Sequence, residues 1–591
     1  MKKNILLTVL FLCCAVVAFG QLKIENQNTL RGYESLPKES VYVHYNTSLL
    51  LAGEHLYYKM YCLNKATKNL SVFSKMGYVE LVGKDGTTIF KHKVRLQEGK
   101  GYGDFLVPTS TASGNYKLLG YTQWMQNDSQ DYFFQADISI INPYQVTEDV
   151  FPETVVDSLN VISPTLKAAA NIVSSATTNQ LISISGIDKK LQKREHASLV
   201  IKSAEGTLSE GSYSISIRKK DAMDKPNVST FENSFSSFLK KGMYKNLKVA
   251  DDIYIPELRG ELVSGKVVDK NTNLPVANVV ITLSLTGKDF IFDTSKTDEN
   301  GAFYFNLNEE YYNENALVLL LAKDKENYNV ILDEQYKINM TDLSFDKLVV
   351  DSDMKDFILK RSINNQIENA YADVKRNDIT PIDNLVPFYR TYDEVYLLDD
   401  YTRFSSLEET FVEIIDHVWV RKSANEDPVF QIRPPLDYPE SSLPPLVLID
   451  GVFIKSHKAI MGFNSKKIKT ISFSRNRYIM GPHTFQGILS METFNRNYRE
   501  SLYQADLQTV DLFKPLSQKE YFLQAYADET ATNQIPDFRH QLLWQPNLEI
   551  NGDESIISFS TSDVAGDYEI SLEGITNAGL PVSIKQLISV E

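Results

Sequence analysis

The chain has 591 residues, enough for three to five domains at about 100–200 residues each. Hydrophobic residues make up 43 % and charged residues 23 %, which excludes wholesale disorder and a collagen-like fibre. The formal charge of −15 argues against a general nucleic-acid binder, and 32 Tyr and 30 Phe beside 3 Trp suit β-strands.

The chain opens Met1-Lys2-Lys3-Asn4, runs apolar from Ile5 to Ala18, and continues Phe19-Gly20-Gln21. A basic start, a short apolar core and small residues before Gln21 predict a secretory signal over residues 1–20. The run falls short of the roughly 20 apolar residues that a membrane-spanning helix needs. Loss of Lys2 and Lys3 takes 61 basic residues to 59 against 76 acidic ones, a mature charge of −17. Cys13 and Cys14 lie in the signal core, which leaves Cys62 as the mature cysteine. No intramolecular disulfide and no cysteine-based zinc site can then form. Leu12 and Cys13, the residues before those two cysteines, do not suit lipid attachment. Later apolar runs such as Ala316–Ala322 are too short to span a bilayer as helices.

From Val41 to Asn142 short β-like runs alternate. In one of them Tyr58, Met60 and Cys62 share a face, with Tyr57, Lys59 and Tyr61 on the other. Lys84-Asp85-Gly86 and Ser113-Gly114-Asn115 are turn signals, and the pattern predicts an antiparallel sandwich over residues 21–142. Residues 143–255 read as a linker and a second sandwich, with a helix expected around Thr165–Ala176 and with Tyr213, Ile215 and Ile217 alternating. Residues 256–330 form a compact third unit with strands Leu262–Asp269, Val279–Leu285 and Ala302–Leu307. Residues 331–400 are a charged connecting segment, partly helical over Met354–Tyr371.

In residues 401–500, Ser406 caps a helix that runs to Val418, and Glu409 completes a capping box. Leu407, Phe411, Ile414 and Val418 give that helix one apolar face. Strands follow at Leu446–Asp450, Thr470–Ser474 and Ile488–Thr493. Residues 501–591 read as a linker and a last sandwich, with strands Ser555–Thr561, Tyr568–Gly574 and Val582–Val590.

No enzyme signature emerges, so no catalytic, cofactor-binding or metal-ligating residue is assigned and a non-enzyme is expected. His44, His55, His92, His196, His417, His457, His483 and His540 stand singly, as surface or turn residues do. No Gly-x-Ser-x-Gly elbow occurs. Gly260 to Lys266 has phosphate-loop spacing, but Val267 stands where Ser or Thr is required and a strand follows. Asp298-Glu299-Asn300-Gly301 lacks the other ligands of a calcium loop and reads as a hairpin turn. Asp399-Asp400 and Glu408-Glu409 read as solvated acids or helix-start decoration. Lys466, Lys467, Lys469, Arg475 and Arg477 make one basic stretch. It is either a charged sheet edge that discourages aggregation or a docking patch for an acidic partner or lipid headgroups.

Four stretches resemble known families. Val41–Ser48, Ala52-Gly53-Glu54 and Tyr57-Tyr58-Lys59, with Phe105–Pro108 and Gly114–Tyr116, resemble the macroglobulin-type sandwich near the start of α2-macroglobulins. Gly265–Asp269, Leu274–Val279 and Thr297–Phe303 resemble the carboxypeptidase regulatory-like domain, a small sandwich with no catalytic role of its own. Pro445–Val452, Ile468–Ile471 and Gly487–Ser490 resemble the plug of TonB-dependent outer-membrane transporters. Asp537–Pro546, Phe559–Asp563 and Gly566–Tyr568 resemble a macroglobulin-family sandwich at the C-terminus. The order is similar to that of exported Bacteroidota proteins, and Asp157-Ser158-Leu159 resembles the short O-glycosylation signal of that phylum. The Cys-Gly-Glu-Gln thioester of protease-trapping macroglobulins is absent.

A 22-stranded transporter barrel at about 9–11 residues per strand needs at least about 200 residues, against the 97 that follow Phe494. The expected fold is therefore mainly β, with tandem antiparallel β-sandwich domains plus a small α+β plug-like domain. The expected function is a non-catalytic envelope scaffold or adaptor, periplasmic or outer-membrane associated, that binds an outer-membrane barrel or a transport or assembly complex. Peripheral membrane association fits that role, with no nucleic-acid partner and no cofactor. The alternative is a periplasmic or surface carbohydrate- or peptide-binding protein with an aromatic platform drawn from Trp124, Trp419 or Trp544.

Overall fold

The computed structural model describes residues 22–145, 181–203, 210–221, 223–224, 230–240, 246–287, 290–346, 348, 350, 354–382, 389, 391–424, 426–436, 438–501, 507–526, 534–550 and 554–591. The expected signal peptide, the helix around Thr165–Ala176 and the tripeptide Asp157-Ser158-Leu159 lie outside those residues. Strands hold 46 % of the described residues and helices 15 %, so the fold is mainly β with many sheets. No helix among the described residues is long and apolar enough to cross a membrane. The chain divides into two compact units, one of residues 21–258, 336–380 and 515–591, the other of residues 259–335 and 381–514.

In the first of these units, Glu39–Tyr45, His55–Asn64 and Lys100–Leu106 form one sheet of an N-terminal sandwich. Leu49–Leu51, Phe134–Ile141, Gly114–Tyr121, Met76–Gly83 and Thr88–Arg95 form the other. A second sandwich is composite. Its three-stranded sheet joins Ile182–Ser185 and His196–Ser203 to Glu554–Ser560, with Leu199 opposite Ile557. Its five-stranded sheet sets Gly211–Lys219 between Gln541–Ile550 and Gly566–Thr576, with Ile217 opposite Leu543 and Ile570. The segments expected to make two separate sandwiches, 143–255 and 501–591, thus share both sheets. Tyr213, Ile215, Ile217, Tyr568, Ile570 and Leu572 are all buried in their common core. Pairing partners about 350 residues apart leave no mark on local periodicity, which reports only which way each side chain points.

The opposite face of Gly211–Lys219 carries Ser212, Ser214 and Ser216, small enough for the N-terminal sandwich to pack on them. Lys59 is fully buried there, and its Nζ donates to Ser212 Oγ and Tyr213 O, both at 3.1 Å. Tyr61 shares the layer through Ser214 Oγ at 2.9 Å, and His44 Nδ1 lies 2.7 Å from the same hydroxyl. The helix Lys355–Ala370 turns polar residues inward. Arg361, 2 % exposed, binds Glu54 with Nε–Oε1 2.8 Å and Nη2–Oε2 2.7 Å, and Asp221 with Nη1–Oδ2 2.7 Å. Asn365 and Asn369 donate to the carbonyls of Ala52 and Gly53, each at 3.0 Å.

In the other unit, Glu261–Asp269 pairs with Ala302–Leu307 and Tyr328–Leu332, and Val280–Leu285 pairs with Ile291–Lys296 and Asn315–Leu320. The strand Leu507–Asp511, from the segment read as a C-terminal linker, completes the second of these sheets beside Asn315–Leu320. Residues 260–266 enter a strand, and Asp298 Oδ1 accepts Asn300 N and Ala302 N at 2.8 Å, closing a turn on Gly301 at φ 72°. The unit also holds the hairpin Val418–Ser423 with Glu426–Ile432 and a five-stranded mixed sheet in the order Glu394–Leu397, Ile468–Met480, His483–Thr493, Leu446–Ile449 and Val452–Phe453. Leu446–Ile449 runs parallel to His483–Thr493, and the other pairs are antiparallel.

Candidate functional site

The run Leu446-Val447-Leu448-Ile449 has no polar face, as expected of a strand covered on both sides. Val447, Ile449, Ile471 and Leu489 pack with Leu407 and Phe411 of the helix Leu407–Glu413. Leu446, Leu448 and Ile488 pack with Phe292 and Leu319 of the neighbouring sandwich. Both broad faces of the mixed sheet are therefore occupied within its own unit. What stays open is an edge. Among the described residues Glu394–Leu397 pairs only with Ile468–Met480, and Val395 and Leu397 are 59 % and 48 % exposed. This four-residue strand carries no lysine, proline or bulge; its shortness and Glu394 are the features that limit further pairing. Sequence pattern does not mark it as a strand, since it lies in the charged segment 331–400 that reads as a connection. The available signal was the alternation of Val395 and Leu397 between Asp393-Glu394 and Asp399-Asp400.

Two turns hold this sheet. Asp450 and Gly451, both at positive φ (50° and 79°), join Leu446–Ile449 to Val452–Phe453. Asp450 accepts Thr493 N at 2.8 Å, Thr493 Oγ1 at 2.6 Å and Tyr498 N at 3.0 Å. At the helix start, Ser406 Oγ accepts Glu409 N at 3.3 Å, while the Glu409 carboxylate takes Ser405 N and Oγ.

The basic stretch does not form a single patch at a sheet edge. Lys469 and Arg477 sit near the two ends of Ile468–Met480, which has neighbours on both sides over Thr470–Phe473 and only His483–Thr493 beside it from Ser474 onward. Arg475 donates to Arg433 O at 2.9 Å and Pro434 O at 2.6 Å and so anchors a loop. The histidines also differ from expectation. His44 and His457 are buried, and burial pulls their imidazoles down to about 3 and about 4, so both are neutral. His457 Nδ1 accepts Phe430 N at 3.0 Å. Among the described residues no group of three or more His, Cys, Asp or Glu could hold a metal ion. Trp124 is core, its Nε1 bonded to Pro37 O at 3.0 Å; Trp419 is partly exposed beneath Arg433; Trp544 is buried beside Tyr57.

No family model and no curated protein matches the sequence. Among solved structures, the chain is similar to a Salmonella alpha-2-macroglobulin mutant at 8 % identity and TM-score 0.23, covering 98 % of this chain and 40 % of that one. Against Escherichia coli alpha-2-macroglobulin activated by porcine elastase, identity is 8 % and the TM-score 0.24, over 94 % of this chain and 44 % of that one. Latent PorU from Porphyromonas gingivalis gives 9 % and 0.15, over 53 % and 34 %. The chain spans about two fifths of the length of these macroglobulins. Similarity at this level carries no argument, and the sandwich architecture rests on the strand pairing above.

Proposed function

We propose that the protein is an exported, non-catalytic adaptor of the bacterial envelope that docks to an outer-membrane barrel through the free edge of its plug-like sheet. The observation that supports this reading is the one-sided strand Glu394–Leu397, with Val395 and Leu397 exposed, on a sheet whose two faces are already covered. Main-chain pairing at such an edge supplies affinity, and side chains at alternate positions supply selectivity.

Tagged full-length protein drawn from gently solubilised outer membrane is expected to bring one barrel protein with it in roughly equal amount. Val395→Lys with Leu397→Lys should release that partner and leave thermal stability within about 0.5 kcal/mol, since both side chains are surface groups. Repeated recovery of the unaltered protein alone, or retention of the partner by the double variant, overturns the proposal.

A further inference from the structure

A cleft of about 180 Å3 opens in the unit that holds both macroglobulin-like sandwiches. Its walls come from the turn around Gly53–His55, the helix Lys355–Ala370, residues 521–522 and the start of the strand Gln541–Ile550. One wall is aromatic. Tyr57 stacks on Trp544 at 6.0 Å between centroids and meets Tyr521 edge-on at 5.2 Å.

The polar capacity of the lining is unevenly spent. Glu54 is gripped on both oxygens by Arg361, and Glu368 accepts Lys375 Nζ at 2.7 Å and Phe538 N at 2.5 Å. Gln541 Oε1 accepts Asn46 Nδ2 at 3.0 Å. These acceptors are already occupied. The donors are not matched in the same way. Trp544 is 6 % exposed and its Nε1, which can only donate, meets no partner. Neither ring nitrogen of His540 meets one, and burial beside Arg361 and Arg218 keeps that imidazole neutral, with one donor and one acceptor. Arg218 is the most loosely held cation of the lining, 3.4 Å from a Glu54 oxygen that Arg361 already holds at 2.7 Å. Buried donors left unpaired cost about 1–3 kcal/mol each, so a site that keeps them unpaired gains most from a ligand that accepts.

We propose that this cleft binds a small carboxylate with a flat or apolar body, about the size of one amino-acid residue, presented as the C-terminal residue of a peptide. Arg218 takes the carboxylate, for which a planar guanidinium is the fitting donor, and the Tyr57–Trp544–Tyr521 wall takes the side chain. Trp544 and His540 supply the neutral contacts that orient it. This inference does not rest on the barrel-docking reading, which concerns the other unit, and either can fail without the other.

The test titrates full-length protein with N-acetyl-phenylalanine, with its C-terminal amide, and with glucuronate, read by calorimetry and by tryptophan fluorescence. N-acetyl-phenylalanine is expected to bind with Kd of about 1 mM or tighter, and the amide about tenfold more weakly. Arg218→Gln should remove the preference for the free carboxylate. Trp544→Phe, which deletes the donor and keeps an aromatic ring, should weaken binding a few-fold and abolish the fluorescence change. Circular dichroism verifies that both variants fold, and the Trp544→Phe result stands if Arg218→Gln does not. Equal affinity for acid and amide, no binding of either by about 10 mM, or binding of glucuronate alone each overturns the proposal.

Discussion

Asp450 sits at φ 50°, a left-handed position that costs a non-glycine residue about 1 kcal/mol or more. Its carboxylate offsets that cost through three hydrogen bonds that tie the turn to Thr493 and Tyr498. Asp450→Ala keeps the strained backbone and loses all three, so a destabilisation of about 2–4 kcal/mol is expected. Asp450→Asn, which keeps one oxygen acceptor and tolerates positive φ, should cost about half as much. Hydrogen exchange of the Leu446–Ile449 amides checks this, and unchanged protection in Asp450→Ala would remove the turn from the account. The Asp-Gly pair was legible in sequence as a strand end. Its bonds to residues more than 40 positions away were not, because side-chain partners at that range are chosen by the fold.

The helix Lys355–Ala370 and the strand His55–Asn64 show how an element can be read well and still be placed wrongly. The alternation of Tyr57 to Cys62 correctly separates two faces, but it does not say what covers the face of Tyr57, Lys59 and Tyr61. In the structure a second sandwich covers that face, and serines on Gly211–Lys219 leave room for Lys59 and Tyr61. The helix is similarly inverted. Arg361, Ser362 and Asn364 are buried while Leu359 and Ile363 are exposed, which a search for an apolar stripe does not detect. Arg361 links this helix to Glu54 and Asp221 in the interior. Arg361→Met leaves Asp221 without its ion-pair partner and Glu54 with only the looser contact to Arg218, and should cost about 3–5 kcal/mol. Urea denaturation followed by far-ultraviolet dichroism should show an early transition in that variant. A loss below about 1 kcal/mol would mean that the helix is held by other contacts.

At the scale of the molecule, the polar layer between the two sandwiches ties stability to pH. Burial raises the Glu573 carboxyl to about 7, above its ordinary 4.5, so the folded state favours the protonated form. Its contribution is complete below pH 4.5 and is lost as pH rises towards 7. Burial lowers Lys59 to about 7 from 10.5, so its contribution is complete above pH 10.5 and is lost as pH falls towards 7. Both slopes point to weakest support from this layer near neutrality. Glu573→Gln should flatten the pH dependence of Tm between about 4.5 and 7, a span worth on the order of 3 kcal/mol, and Lys59→Met should flatten the upper range. Calorimetry across pH 4–10 checks both, and slopes unchanged in the variants would assign the dependence to other groups.

Local pattern by itself determined that the chain is mainly β, where most of its strands and turns lie, and that a capped helix begins at Ser406, although that helix ends at Glu413 and Val418, expected as its last residue, opens the strand Val418–Ser423. Each of these follows from side-chain period and turn chemistry within about ten residues. Only the tertiary structure decided that residues 181–219 and 541–590 form one sandwich, and that Leu507–Asp511 returns to the sheet of Asn315–Leu320. It also decided which edge stays open and which polar side chains line a cleft. Those features depend on partners hundreds of residues apart, and hydrophobic alternation is the same whichever strand arrives alongside.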